Sequence, residues 1–253
     1  MFKGFYNLTS GILTHQRNLN VIADNMTNIS TSGYKQDRYT ASTFDDVMYS
    51  RVGNEDSTGP EIGRQSYIRA TSQIYTDFTQ GTIEPTGLPL DFAIEGEGFF
   101  AVQGVDGDRF YTRMGNFSLD DDGYLCLPGY GRILNPQGQP IWLGTDKILG
   151  DAQGNIYVDD GVYGGDLLGQ VGVFAFADNA ALDRNENGFF VGDGAQLVQS
   201  RIHHGCLERS NTDLVKQMTE MITFQRSLQS TASVMKMYDT VMSKAANDVG
   251  RLQ

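Results

Sequence analysis

Phe5, Leu8, Ile12, His15, Leu19, Ile22, Met26 and Ile29 follow one another at alternating steps of three and four residues. Such a 3.5-residue period lays a narrow apolar stripe along one side of an α-helix, the seam of a helix that lies against a partner helix. His15 is its one polar member. The other end of the chain repeats the device. Leu214, Met221, Leu228, Met235, Met242 and Val249 stand seven residues apart, and Phe224, Tyr238, Ala245 and Leu252 fall three places after four of them. One helix from about residue 207 nearly to the C-terminus follows. Packing each helix onto the body as an ordinary core element would satisfy these seams, but the remaining faces favour pairing. Thr9, Ser10, Thr14, Gln16, Asn18, Asn20, Thr27 and Asn28 on one helix, and Gln217, Thr219, Gln225, Ser227, Gln229, Ser230, Thr231 and Ser233 on the other, are polar yet uncharged. Such side chains can hydrogen-bond a neighbouring subunit without the desolvation penalty of an ion. The terminal helices are therefore expected to pair as a coiled coil and then to meet copies from other chains.

The segment between them is of another kind. Residues 36–206 hold 10 basic and 25 acidic groups, a net −15 within a chain of −12, together with all six prolines and 26 of the 30 glycines. Short runs such as "FAIEGEGFFAVQG", "GNIYVDDG" and "GQVGVFAFAD" alternate with the pairs Asp106-Gly107, Asp122-Gly123, Gln137-Gly138, Gln153-Gly154, Asn187-Gly188 and Asp193-Gly194. Strand-length runs between turn pairs predict antiparallel hairpins. The fold class is thus a mainly β central domain flanked by terminal α-helices. Asn28 to Ser32 offer side chains that compete for the backbone, and Gly33 can take a left-handed capping conformation, so the first helix ends there. The expected division is 1–35 with 207–253 as the helical domain, 36–67 as an extended arm or linker, and 68–206 as the β-rich domain.

Several function classes drop out. A net −12 argues against a nucleic-acid binder. No window approaches the apolar length of a membrane span, and the N-terminus lacks a basic start, an apolar core and a small-residue cleavage site, so no conventional signal peptide is expected. Cys126 and Cys206 have no CxxC spacing. Asp183-x-Asn185-x-Asn187-Gly188 opens like a calcium loop, but the bidentate Glu due at its twelfth position is Gly194. Asp120, Asp121 and Asp122 precede a glycine as a hairpin turn does, and His203 and His204 beside Cys206 point to opposite faces if extended. No catalytic residue, cofactor or metal is expected.

"ADNMTNISTSGYK" (23–35) and "LERSNTDLVKQMTEMITFQRSLQ" (207–229) resemble the N- and C-terminal motifs of the bacterial flagellar axial proteins, the family of rod and hook subunits. "PLDFAIEGEGFFAVQ" and "FYTRMGNFSLDDDGYL" are similar to that family's central β segment. The resemblance implies a structural subunit of the flagellar basal body that assembles helically and transmits torque, with the terminal helices as an inner layer and the β domain outward. The motifs stand nearest the distal rod, with the proximal rod as alternative; an exported cell-wall-cutting enzyme and an adhesin are rivals of other classes. Partners implied are further copies, neighbouring rod and hook subunits, and the flagellar type III export apparatus, which would carry the chain out without a cleaved signal. Assembly would rest on Leu8, Ile12, Leu19, Ile22 and Met26 burying against Leu214, Met221, Leu228, Met235 and Met242, with Met218, Val249 and Gly33 as further assembly positions. Asn25, Asn28, Ser210 and Asn211 are expected to bond across subunits.

Overall fold

The computed structural model describes residues 2–43, 47–50, 61–65, 69–104, 107–159, 165–179, 182–185 and 187–250. The chain divides into two units. One comprises Met1–Met26, Asp37–Tyr75 and Asp213–Gln253; the other comprises Thr27–Gln36 and Thr76–Thr212.

The first unit holds the two helices, α1 (Phe2–Thr27) and α2 (Leu214–Gly250), and the strands β1 (Asp37–Thr43), β2 (Val47–Ser50), β3 (Glu61–Gln65) and β4 (Arg69–Thr76). β1 pairs with β4, and β2 with β3 in antiparallel register. The stretch expected as an arm therefore contains strands of its own. Its signal is weak because "RYTAST" and "VMYS" are short and carry no strict alternation. α2 would span about 55 Å at the helical rise. It starts later than the expected residue 207 because Asp213 caps it, its Oδ1 accepting from the Val215 and Lys216 amides at 2.9 and 3.2 Å.

Among the described residues the second unit contains the strands β5 (Ile83–Pro85), β6 (Phe92–Glu95), β7 (Phe99–Gly104), β8 (Arg109–Thr112), β9 (Ser118–Leu119), β10 (Leu125–Leu127), β11 (Gly131–Ile133), β12 (Ile148–Gly150), β13 (Asn155–Val158), β14 (Leu167–Gln170), β15 (Val173–Ala175), β16 (Asp183–Arg184), β17 (Phe190–Val191), β18 (Gln196–Leu197), β19 (Arg201–His204) and β20 (Cys206–Glu208). The largest sheet runs β16-β17-β8-β7-β11-β10-β9, with β15 joining β7 and β18. β7 is its axis. One edge pairs fully with β8; along the other, Phe99 and Phe100 pair with β15 and Val102 to Gly104 with β11. Side chains alternate along a strand, so Phe100 and Val102 enter the main core with Phe110, Leu125, Ile133 and Ile156, while Phe99 and Ala101 enter a second core with Tyr111, Phe174 and Phe190. That is why "FFAV" carries no polar residue.

Four hairpin turns share one construction. Asp120, Asn135, Asp151 and Asn185 each direct Oδ1 at the backbone amides two and four residues on, at 2.8–3.1 Å. Three residues after each stands a glycine, Gly123, Gly138, Gly154 or Gly188, with φ between 78° and 83°. A type I turn closed by a left-handed residue needs that glycine, and the Asx side chain holds the turn from inside. Burial would raise the Asp151 carboxyl, but donors from Asn155 and the Gln153 amide outweigh it and hold it below the ordinary carboxylate value. A lowered folded-state value contributes stability above the unfolded carboxylate range and loses it as pH falls through the folded value. Asp151→Asn, which copies the turns at Asn135 and Asn185, is expected to keep the fold and flatten the acid limb of a thermal-stability profile.

Candidate assembly surfaces

α1 and α2 touch, among other places, at His15 and near the start of α1. His15 Nε2 lies 3.2 Å from Ser227 Oγ and its ring 5.9 Å from Phe224; near the start of α1, a Cβ on Gly4 would sit 3.6 Å from the Tyr238 ring. Falling numbers on α1 meet rising numbers on α2, so the helices run antiparallel where they touch. On α2 the row Gln217, Met221, Phe224, Leu228, Thr231, Met235, Tyr238 and Met242 is covered, in steps of four and three, with Glu220, Ser227 and Ala232 half-covered beside it. On α1 cover is greatest at Thr14, Val21, Ile22 and Asn25, with Leu8, Ile12, Leu19 and Met26 half-buried.

Two expected positions lie off the covered face. Leu214 is 43% exposed and Met218 50%. Leu214 opens the helix beside its cap, and the stripe begins instead at Gln217, which is fully buried although neither of its amide atoms finds a hydrogen-bond partner among the described residues. Polarity hid that position from an apolar pattern. An orphaned buried amide costs about 1–3 kcal/mol, so Gln217→Met is expected to raise the unfolding midpoint measured by circular dichroism. The main chain of Val249 continues α2.

Polar groups that were to serve neighbouring subunits are used at home. Thr9, Thr14, Thr219, Thr231 and Ser233 donate to carbonyls four residues back at 2.8–2.9 Å. Both amide atoms of Asn25 bond the Asp37 backbone. Asn28 Oδ1 accepts from Thr31, Ser210 Oγ bonds the Thr212 hydroxyl, and Asn211 receives the Gln36 amide while donating to Asp77 and Thr79. Within the single chain these four side chains thus have partners where the ends of both motifs fold back over neighbouring strands. Apolar groups are what the helices leave outside. Tyr6, Leu13, Val215, Ile222, Met237 and Val241 are 51–73% exposed, a pattern a monomer has no use for.

The second unit holds a centre that no single motif announces. Glu208 is fully buried and accepts Lys35 Nζ at 2.6 Å, the Gly81 amide at 2.9 Å and Arg113 Nη1 at 3.2 Å. Lys35 also reaches Thr79 O at 2.9 Å, and Arg113 Nη2 donates to Gly96 O at 2.6 Å. Burial pushes the Lys35 ammonium below the ordinary lysine value although the Glu208 carboxylate pulls it back, and burial lowers the Arg113 guanidinium likewise. Gly33 does adopt a left-handed φ of 67°, but α1 has ended six residues earlier. What holds it as glycine is a close approach, since a Cβ would lie 2.2 Å from the Arg113 carbonyl carbon. Its amide donates to Glu208 O at 2.7 Å. Lys35 closes the first quoted motif, Glu208 stands at the start of the last, and Gly96 and Arg113 belong to the two central ones; Lys35 and Arg113 meet at the Glu208 carboxylate, and Gly96 joins through Arg113.

Asp120 and Asp122 are both bound to Arg132, at 2.7 and 2.6 Å, and Asn185 spends its oxygen on its own turn. His203 pairs with Glu95 and His204 with Pro89 O. Among the described residues there is no group of three or more His, Cys, Asp or Glu side chains fit to hold a metal, and no helix is long and apolar enough to cross a membrane.

Family models match in three places: a flagella basal body rod protein model over residues 5–35, the D1 domain of flagellar hook protein FlgE/F/G over 93–163, and the C-terminal model of flagellar basal body rod FlgEFG proteins over 203–248. The chain is 31% identical to the flagellar basal-body rod protein FlgG of Bacillus subtilis (strain 168), covering 98% of this chain and 99% of that one. It is 29% identical, end to end on both sides, to the flagellar hook-basal body complex protein FlhO of the same organism. With the flagellar basal-body rod protein FlgF of Mesorhizobium japonicum it shares 29% identity over 99% of each chain.

Proposed function

The chain belongs to the flagellar basal-body rod protein family, and from that premise we propose that it is a subunit of the rod itself, assembling helically to transmit torque from motor to hook. α1 and α2 pair as a coiled coil on the inner side of the assembly, and the second unit faces outward. The observation that carries this reading is the state of the two helices. They run antiparallel where they touch, yet keep Tyr6, Leu13, Val215, Ile222, Met237 and Val241 in water. Faces of that kind are covered when copies of the chain and neighbouring rod and hook subunits pack around an axis. On its motifs the subunit sits in the distal rod, and the flagellar type III apparatus exports it with no cleaved signal.

Deleting the gene in its own host tests the reading. Basal bodies imaged by electron microscopy are expected to carry a truncated rod without a hook, with hook subunits in the medium, and the length of the remnant separates a distal from a proximal position. Intact hooks and normal swimming in a strain without a paralogue would overturn it.

A further inference from the structure

Trp142 is the one tryptophan of the chain and stands 55% exposed. Its exposure is built. Nε1 donates to the Asp122 carbonyl at 3.1 Å, and the ring rests on two glycines: a Cβ on Gly144 would meet Cη2 and Cζ2 at 2.8 Å, and one on Gly123 would come within 3.2 Å of Nε1. Both glycines hold positive φ, 67° and 81°. The backbone closes beneath them, with the Leu143 and Gly144 amides both donating to Gly123 O. The indole is therefore fixed on one side by main chain and open on the other. A rigid aromatic held out of a core that takes in Phe92, Phe99, Phe100, Phe110, Phe117, Phe174, Phe189 and Phe190 calls for a ligand.

The neighbours indicate which one. Tyr124 and Trp142 are antiparallel bridge partners, so their side chains share a face. The Arg132 guanidinium lies 4.1 Å over the Tyr124 ring, and Asp120 and Asp122 hold it in place. Asp122 keeps 70% of its side chain in water. Asp120 and Arg132 continue into an open groove of about 590 Å³, lined also by Gln103 and Tyr130. A flat apolar surface beside an anchored carboxylate, a guanidinium and an amide suits a sugar ring. The C–H face of a pyranose stacks on the indole, vicinal hydroxyls donate to Asp122 and accept from Arg132, and the groove takes the next residues of the strand. A second copy of the chain fits less well, because the segment 36–206 carries −15 and this corner holds three of its acids, Asp120, Asp121 and Asp122. We propose that Trp142, with Asp122 and Arg132 beside it, is a binding platform for a polysaccharide strand.

Because the fluorophore is unique, the full-length protein can be titrated with chitotetraose and, separately, cellotetraose while indole emission is followed. A saturable blue shift with either sugar is expected, and a response to one alone shows whether N-acetyl groups are read. Trp142→Ala should lose retention on insoluble chitin or cellulose with its unfolding midpoint kept. Asp122→Asn should raise the half-saturating sugar concentration roughly tenfold, the loss of one charge-assisted hydrogen bond. Gly144→Ala, which keeps the fluorophore but lifts it from its bed, should blunt the response as well. No saturable change with either sugar at millimolar concentration overturns the proposal. So does an emission shift that follows protein concentration without sugar, since the occupant is then another copy of the chain.

Discussion

Glu208→Gln should cost the second unit about 3–5 kcal/mol, because it leaves two buried cations without their anion. Lys35, Glu208 and Arg113 side chains are 1%, 0% and 5% exposed, so water cannot replace the lost charge. The amide can still accept from Lys35 or the Gly81 amide, and geometry alone changes little; the loss measures the uncompensated charge. A second arm separates that cause from simple disruption. Lys35→Met with Glu208→Leu and Arg113→Met removes every ion at once, and apolar replacements of buried ionic groups are often neutral or better. The triple variant is expected to recover most of the stability that Glu208→Gln loses, read from urea unfolding followed by near-ultraviolet circular dichroism. A triple variant no more stable than Glu208→Gln would show that the carboxylate matters through its hydrogen bonds to Gly81 and the loop rather than through charge.

Motility should vanish when aspartate is placed at Ile22 or Met235, with the second unit still folded. Ile22 is 4% exposed and Met235 half-buried on the covered stripe of α2; a carboxylate at either would be taken out of water with no partner, a cost of several kcal/mol. Val215→Asp and Met237→Asp are the informative companions. Those positions are 73% and 60% exposed in the single chain, so the isolated protein should unfold at its usual midpoint. If copies cover the outer faces, the same two variants should still stop rod assembly, seen as missing hooks in electron micrographs of basal bodies. Swimming cells carrying both Ile22→Asp and Met235→Asp would sink the packing claim, and swimming cells carrying Val215→Asp and Met237→Asp would remove the outer faces from the interface.

What the residues disclosed in advance is what depends on neighbours in sequence. Asp122-Gly123, Gln137-Gly138, Gln153-Gly154 and Asn187-Gly188 mark their hairpins because the turn is made by the residues that name it. The seven-residue spacing from Met221 to Met242 marks its helix because a helix brings those positions to one side. The Glu208 centre was invisible by the same logic. Lys35 and Glu208 stand 173 residues apart, and each taken alone is an ordinary surface charge. Its hint lies in context: Lys35 closes a segment otherwise free of basic residues since Arg17. Gln217 escaped because apolar spacing cannot register a buried amide. The strands of 37–65 escaped because they are short, and because β1 finds its partner in the distant β4 rather than across a local turn.

The separation between Lys35 and Glu208 has a temporal side. Each Asx turn closes on atoms at most four residues away, a search completed in microseconds or less, whereas joining the ends of the motifs is a late, long-range event. A chain emerging N-terminus first can form its hairpins one after another as it appears, but cannot seal Lys35 and Arg113 until residue 208 has arrived. Closure of the centre thereby marks the arrival of residue 208: a product cut short before it keeps Lys35 and Arg113 without their shared anion.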